Sequence, residues 1–334
     1  MCTAVSYKSD YHYFGRNLDL EYRYQEEITI TPRNFSLPFR TSKHLNSHYA
    51  IIGMAYVAHN YPLYYDATNE MGLSMAGLNF PGNAFYPEYR SDKDNITPFE
   101  LIPWILGLCS SITEATTLLN RLNIVNLSFN PSLPLSPLHW MISDSTSSLV
   151  VESTKEGLKY YENPIKVLTN NPTFDLQLFN LNNYIGLSSK QPDDPSPFSH
   201  PLSLYSRGLG ALGLPGDYSS QSRFVKAAFV RCCCMDYQNK TAERFSLQKE
   251  EDSLSQFFHI LSSVSTPKGC VEVDSEKYQY TIYSSCCNTD LGIYYYTTYD
   301  NPQIQGVNLH HVDLNADTLF RYPLLLQGNI HWQN

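Results

Sequence analysis

Met1-Cys2-Thr3-Ala4-Val5, the opening of the chain, decides how the rest is read. A small second residue lets an aminopeptidase remove Met1, and the new N-terminus is then Cys2. That residue carries a thiol and a free α-amine on one Cα. Their ordinary pKa values, about 8.5 and about 7.7–8.0, let both exchange protons near neutral pH. A weak nucleophile joined to its own base is activated for attack. The expected mature chain therefore runs from 2 to 334 and begins with its nucleophile.

Outward from Cys2, residues 3–7 and 11–16 are short apolar runs joined by Lys8-Ser9-Asp10, which predicts an N-terminal β-hairpin. Residues 27–31 alternate as Glu-Ile-Thr-Ile-Thr and stop at Pro32. Residues 49–57 and 72–78 are further strand-like stretches. Thr97-Pro98-Phe99-Glu100 and Ser111-Ile112-Thr113-Glu114 carry capping-box spacing and predict two consecutive helices. Strands are expected again at 138–143, 148–152 and 165–169, then a helix over 174–184. A Ser, Pro and Asp-rich loop covers 186–203. Helical patterns at 222–234 and 254–264 precede strands near 278–284 and 293–298. Strands, helices, strands, helices, strands, without βαβ alternation, predict an α+β layered fold with antiparallel sheets. No repeat and no linker divides the chain, so a single domain is expected.

Of 334 residues, 42% are hydrophobic and 16% charged, the balance of a globular protein with a large core. A net charge of −9 without a basic block argues against a nucleic-acid partner. Residues 1–20 interleave Lys8, Asp10, His12, Arg16 and Asp19, so they form no signal-peptide core. No run long enough to span a membrane occurs either. The eight cysteines include the runs Cys232-Cys233-Cys234 and Cys286-Cys287, which fit neither a zinc pattern nor a spaced disulfide framework. Free thiols in a reducing cytoplasm are the expectation.

Several motifs carry less than their letters. Gly208-Leu209-Gly210-Ala211-Leu212-Gly213 fits a dinucleotide-binding pattern, but a loop precedes it and Pro215 follows, so loop glycines are the better reading. Gly72-Leu73-Ser74-Met75-Ala76 lacks the last glycine of a nucleophile elbow. His310 and His311 read as a surface pair. Arg16 and Asp19 in Phe14-Gly15-Arg16-Asn17-Leu18-Asp19 differ, because opposite charges among apolar residues must be paired if buried. Either they form a structural ion pair, or Arg16 favours the Cys2 thiolate while Asp19 holds the amine.

Cys2-Thr3, the Arg16 segment, Pro32-Arg33-Asn34, Asn69-Glu70-Met71-Gly72-Leu73, Gly77-Leu78-Asn79-Phe80, Leu138-His139-Trp140, Leu168-Thr169-Asn170-Asn171-Pro172-Thr173-Phe174, Gly213-Leu214-Pro215-Gly216-Asp217 and Ser222-Arg223-Phe224 occur in that order. The set resembles the choloylglycine hydrolase family, which contains bile salt hydrolases and penicillin V acylases. The likeness runs from Cys2 to Tyr299-Asp300-Asn301-Pro302.

The resemblance implies the four-layer αββα N-terminal nucleophile hydrolase fold, an α+β class with two antiparallel sheets. It implies Cys2, Arg16, Asp19, Asn79, Asn170 and Arg223 as catalytic residues, Asn170 and Asn79 facing the oxyanion. It implies no metal or organic cofactor, and homotetrameric assembly. Asn79, where penicillin V acylases often carry tyrosine, tips the expected substrate to glycine- or taurine-conjugated bile salts. Penicillin V or acyl-homoserine lactone amidases, and a non-catalytic steroid-binding protein, are the alternatives. A flat apolar steroid needs aromatic and aliphatic walls. The expected lining residues are Tyr22, Tyr24, Ala58, Tyr61, Tyr64, Tyr65, Leu133 and Leu138, with 22–24, 61–65 and 127–138 as candidate lining loops and 58–66 as the segment expected to set specificity.

Overall fold

The computed structural model describes residues 1–193, 199–200, 202–241 and 249–334. Of the loop expected over 186–203, residues 194–198 and 201 lie outside the described residues. The N-terminal hairpin forms as β1 (Cys2–Lys8) and β2 (His12–Leu20), with Cys2 opposite Leu18. Four more strands follow, β3 (Glu27–Thr31), β4 (Ile51–Ala58), β5 (Tyr61–Asn69) and β6 (Ser74–Asn79). A short parallel pair, β7 (Asp94–Ile96) and β8 (Leu122–Ile124), brackets helices α1 (Leu101–Leu108) and α2 (Ile112–Leu119). Then come β9 (Leu138–Ser143), β10 (Ser148–Thr154), β11 (Gly157–Glu162), β12 (Val167–Leu168) and helix α3 (Phe174–Asn180). Long helices α4 (Ser220–Thr241) and α5 (Lys249–Ser262) precede β13 (Val271–Asp274), β14 (Lys277–Asn288), β15 (Ile293–Thr298), β16 (Gln305–Asn308) and β17 (Phe320–Pro323).

Two antiparallel sheets result. The first has the order β12-β1-β2-β14-β15-β16, with β13 on β14, and the second β11-β10-β9-β6-β5-β4-β3-β17. Helices α4 and α5 pack on β1 and β14 of the first sheet, and α1 packs on β4, β5 and β6 of the second. β1 and β2 face β6 across the interior. The layers are therefore αββα, as expected.

Strand alternation feeds two cores. One fills the inter-sheet space and the α4–α5 side, with Tyr7, Phe14, Met141, Phe224 and Phe257 buried. The other lies between the second sheet and α1–α2, around Trp104, Trp140 and Ile142. Each fully buried side chain of this size contributes roughly 1.5–3 kcal/mol by leaving water. Gly15 is required where β2 meets β14, since a Cβ there would lie 1.9 Å from Ser285 O.

Three local expectations need correction. The first helix begins at Leu101: Glu100 accepts the Thr97 N–H at 3.1 Å, one half of the expected capping box, but Thr97 Oγ1 makes no hydrogen bond among the described residues and 98–100 form a turn before the helix. Residues 61–65 form no loop: His59 and Asn60, at φ of 49° and 61°, make a two-residue turn, and β5 runs on from it. Pro62 in that run disguises a strand. The helix expected over 174–184 ends at Asn180 and tightens into a 3₁₀ turn, Leu181–Tyr184.

Candidate active site

Cys2 opens β1 and is 2% exposed, so its thiol faces the inter-sheet interior rather than fraying at a terminus. Its backbone N–H donates to Asn170 Oδ1 at 2.8 Å. Asn170 follows β12, the neighbour of β1, so sheet pairing itself brings residue 170 to residue 2. Asn170 Nδ2 donates to the Asn79 carbonyl at 2.6 Å, and a side-chain amide has a second N–H to offer. The Asn79 side chain makes no hydrogen bond among the described residues. Asn79 thus meets Asn170 through its main chain.

Two buried arginines flank this group. Arg223, on α4, donates from Nη1 to the Cys2 carbonyl and to Thr3 Oγ1 (2.8 Å), from Nη2 to Asn170 Oδ1 (2.7 Å), and from Nε to Tyr218 O (3.0 Å). Burial lowers its pKa from the usual arginine value, against the opposing pull of Asp19 and Cys2. Arg16, on β2, crosses to the second sheet and donates from Nη1 to Tyr65 O (3.1 Å) and Gly77 O. Its Nη2 has no hydrogen-bond partner among the described residues. Burial works against its charge, but Cys2 first, then Tyr283, Asp66 and Asp19, outweigh it and raise its pKa. Arg16 is therefore a fixed cation beside Cys2.

Asp19 is fully buried; Thr281 Oγ1 donates to its Oδ1 at 2.7 Å and its Oδ2 is unpartnered among the described residues. With Met1 in place, the Met1 amine donates to the Asp19 carbonyl (2.8 Å) and to Gln279 Oε1 (2.9 Å). Asp19 N–H in turn donates to the Met1 carbonyl at 3.0 Å. Asp66 lies across the interior. Burial raises its pKa, against Arg16 and the hydroxyls of Tyr294 (2.6 Å), Tyr283 (2.7 Å) and Ser285 (3.0 Å), which all stabilise its charge.

The expected lining residues divide. Tyr65 packs on the inter-sheet core and lends its carbonyl to Arg16, while Tyr22 and Tyr24, joined through their hydroxyls at 2.8 Å, lie exposed after β2. Tyr61 and Tyr64 belong instead to the core against the helices, Tyr61 packing on Phe99 and Phe129 and Tyr64 bonding to Thr31 Oγ1 at 2.7 Å. Ala58 is buried at the end of β4, Leu133 is partly buried on the 127–138 loop, and Leu138 stands opposite Asn79. The cleft of about 490 Å³ bordered by Arg23, Glu26, Tyr56 and Arg321 is bordered by neither Cys2 nor Asn170. Its Glu26 is paired with Arg23 and neighbouring Glu27 with Arg321, so it offers no reactive group.

Sequence reasoning missed the residues that hold the site from a distance: Thr281 at Asp19, Gln177 at the Asn170 and Pro172 carbonyls, and Ser220, whose hydroxyl accepts the Asn170 N–H at 2.8 Å. These are ordinary polar residues, and nothing local marks them.

The family profile of linear amide C–N hydrolases, choloylglycine hydrolase family, matches residues 2–322. The chain belongs to the choloylglycine hydrolase family. A bile salt hydrolase/transferase from Lactiplantibacillus plantarum is 55% identical over 334 residues, 100% of each chain. One from Clostridium perfringens is 39% identical over 327 residues, 96% of each. The crystal structure of the C2A mutant of conjugated bile acid hydrolase from Clostridium perfringens superposes with a TM-score of 0.91 at 36% identity, covering 100% of both chains. The fold is that of the N-terminal nucleophile hydrolases, and the chain is a hydrolase of linear amides by family.

Proposed function

We propose that this chain hydrolyses the amide of glycine- or taurine-conjugated bile salts with Cys2, freed by removal of Met1, as nucleophile. The observation that carries the reading is the joint placement of a buried Cys2, its N–H on Asn170 Oδ1, between the cations of Arg16 and Arg223. The names of the relatives supply the substrate class.

In the first half-reaction, Cys2 Sγ forms a bond to the amide carbonyl carbon as the thiol proton passes to the α-amine. The carbonyl π electrons move to oxygen, opposite the free N–H of Asn170 and a donor at Asn79; one such donor accounts for about 10²–10³ in rate. The C–N bond then breaks, the α-amine returns the proton to the leaving nitrogen, and glycine or taurine departs. In the second half, water adds to the thioester, giving a proton to the α-amine. The C–S bond breaks and Cys2 regains its proton. Arg16 stabilises the sulfur anion, Arg223 holds Cys2 and Asn170 together, and Asp19 orients the amine. Tyr22, Tyr24, Tyr65, Leu133 and Leu138 are the lining residues compatible with this placement.

All eight cysteines are free, which supports a reducing cytoplasm as the working compartment. No helix among the described residues is long and apolar enough to cross a membrane. The chain is read as one domain, and homotetrameric assembly rests on the family resemblance; sedimentation of the purified protein tests it. The functional test is amine release from taurine and glycine conjugates and from penicillin V, with Cys2→Ala as control. Release of taurine or glycine that vanishes in the variant supports the reading. Release from penicillin V alone moves the substrate, and release surviving in Cys2→Ala refutes the mechanism.

A further inference from the structure

His139 and Glu152 are both fully buried on adjacent strands, β9 and β10, with His139 Nδ1 at 3.1 Å from Glu152 Oε1. The other ring nitrogen, Nε2, lies 2.9 Å from the Thr169 carbonyl, the residue before Asn170. The Phe80 ring, the residue after Asn79, lies flat on the imidazole, with centroids 4.2 Å apart and planes inclined by 7°. Glu152 Oε1 also accepts the Phe174 N–H at 3.0 Å, at the start of α3. One buried imidazole therefore touches both segments that carry the oxyanion donors, by its edge on one side and its face on the other.

The proton inventory explains how it can be buried. Nε2 faces a carbonyl and must carry hydrogen, and a second proton is shared between Nδ1 and the carboxyl. Written as imidazolium with carboxylate or as imidazole with carboxylic acid, the pair has no net charge. Either form avoids the cost of a lone buried ion. Neither residue is needed to explain any step written above.

We propose that His139, oriented by Glu152, is a positioning residue that fixes the Asn79 and Asn170 segments at the spacing the oxyanion needs. The inference rests on the reading of those two asparagines as oxyanion donors. Misplacing a preorganised donor by less than an ångström costs rate without costing ground-state affinity.

The test compares His139→Gln, whose amide reaches the Nε2 position, with His139→Asn, whose amide reaches only Nδ1. The assay is taurocholate turnover per Cys2 thiol, with Cys2 alkylation by iodoacetamide followed on its own peptide by mass because seven other thiols are free. His139→Asn is expected to lose about 10–10²-fold in kcat with KM within about threefold, and His139→Gln less than about fivefold. The iodoacetamide rate should stay near that of the unaltered protein in both, since alkylation uses no oxyanion donor. Phe80→Leu, which keeps every hydrogen bond of the pair, should lose kcat in the same sense and serves if a His139 variant fails to fold. Equal kcat per thiol in all variants, the reverse order of Asn and Gln, or kcat falling in step with alkylation overturns the proposal. An unaltered protein silent on bile salts refutes the substrate reading instead. Positioning is then read from crystal structures: Asn170 withdrawn from Cys2 in His139→Asn supports it, and an unmoved Asn170 overturns it.

Discussion

Replacing Asn170 separates catalysis from stability, because its two ends serve different partners. In Asn170→Ala, Cys2 N–H, Arg223 Nη2 and the Asn79 carbonyl all lose a partner. Three bonds at about 1 kcal/mol each set the stability loss near ~2–3 kcal/mol. With an unfolding entropy of about 2.1 cal/mol/K per residue over 334 residues, that lowers Tm by roughly 3–4 °C. Loss of an oxyanion donor should cut kcat by about 10²–10³. Asn170→Asp keeps the Oδ1 acceptor and charges it, strengthening the bonds from Arg223 and Cys2 N–H, since charge-assisted bonds are roughly twice as strong as neutral ones. It forfeits the donation to Asn79 and sets a carboxylate oxygen against that carbonyl, a repulsion that the two strengthened bonds outweigh, so Tm should lie above that of Asn170→Ala. Its kcat should nevertheless fall further, because a carboxylate then faces the developing oxyanion. Thermal melts and single-turnover taurine release measure both orders. An Asn170→Asp enzyme more active than Asn170→Ala, or Asn170→Ala within about fivefold of the unaltered rate, refutes the oxyanion role.

Two further expectations concern groups that support this frame. Burial holds the His12 imidazole down to about 4 from an ordinary value of 6.5, so it is neutral in the fold. Unfolding takes up a proton there below pH 6.5, so its stabilising effect is complete above that value and is lost towards pH 4. His12→Gln should flatten the pH dependence of the unfolding free energy from urea melts by up to ~1.4 kcal/mol per pH unit between pH 4 and 6.5, and an unchanged slope refutes the assignment. Asp217 accepts from Ser219 N–H (2.9 Å) and Ser222 Oγ (2.6 Å) at the start of α4. Hydrogen bonds from Ser219 and then Ser222 hold its carboxyl at about 2, so its contribution is present above pH 3.8 and lost as pH falls to 2. Asp217→Ala should cost about 1 kcal/mol near neutral pH and lower kcat through Arg223, whereas a melt unchanged from the parent refutes the role of these two bonds.

The layered order was legible because apolar alternation and turn residues report local geometry directly, as at residues 27–31 and in the Ser111 cap, whose hydroxyl accepts the Glu114 N–H. The hairpin carrying Cys2, Arg16 and Asp19 was legible for the same reason. Chain order alone does not show that β12 pairs with β1, so only the family motif pointed to Asn170 beside Cys2. Tyr61, Tyr64 and Tyr65 were grouped as one lining segment because aromatic richness does not say which face of a strand a ring occupies. β5 turns Tyr61 and Tyr64 to the helix side and Tyr65 to the interior. His139 was legible as part of Leu138-His139-Trp140, but its role needed Thr169 and Phe80 placed on either side of it.

The central claim is that a processed Cys2 carries the acyl group, and quenched-flow intact-mass analysis during taurocholate turnover tests it most directly. The predicted result is a chain lacking Met1 that gains one cholyl group, mapped to the Cys2 sulfur and absent from Cys2→Ala. Turnover by protein that retains Met1, or a cholyl group on any other residue, would contradict it.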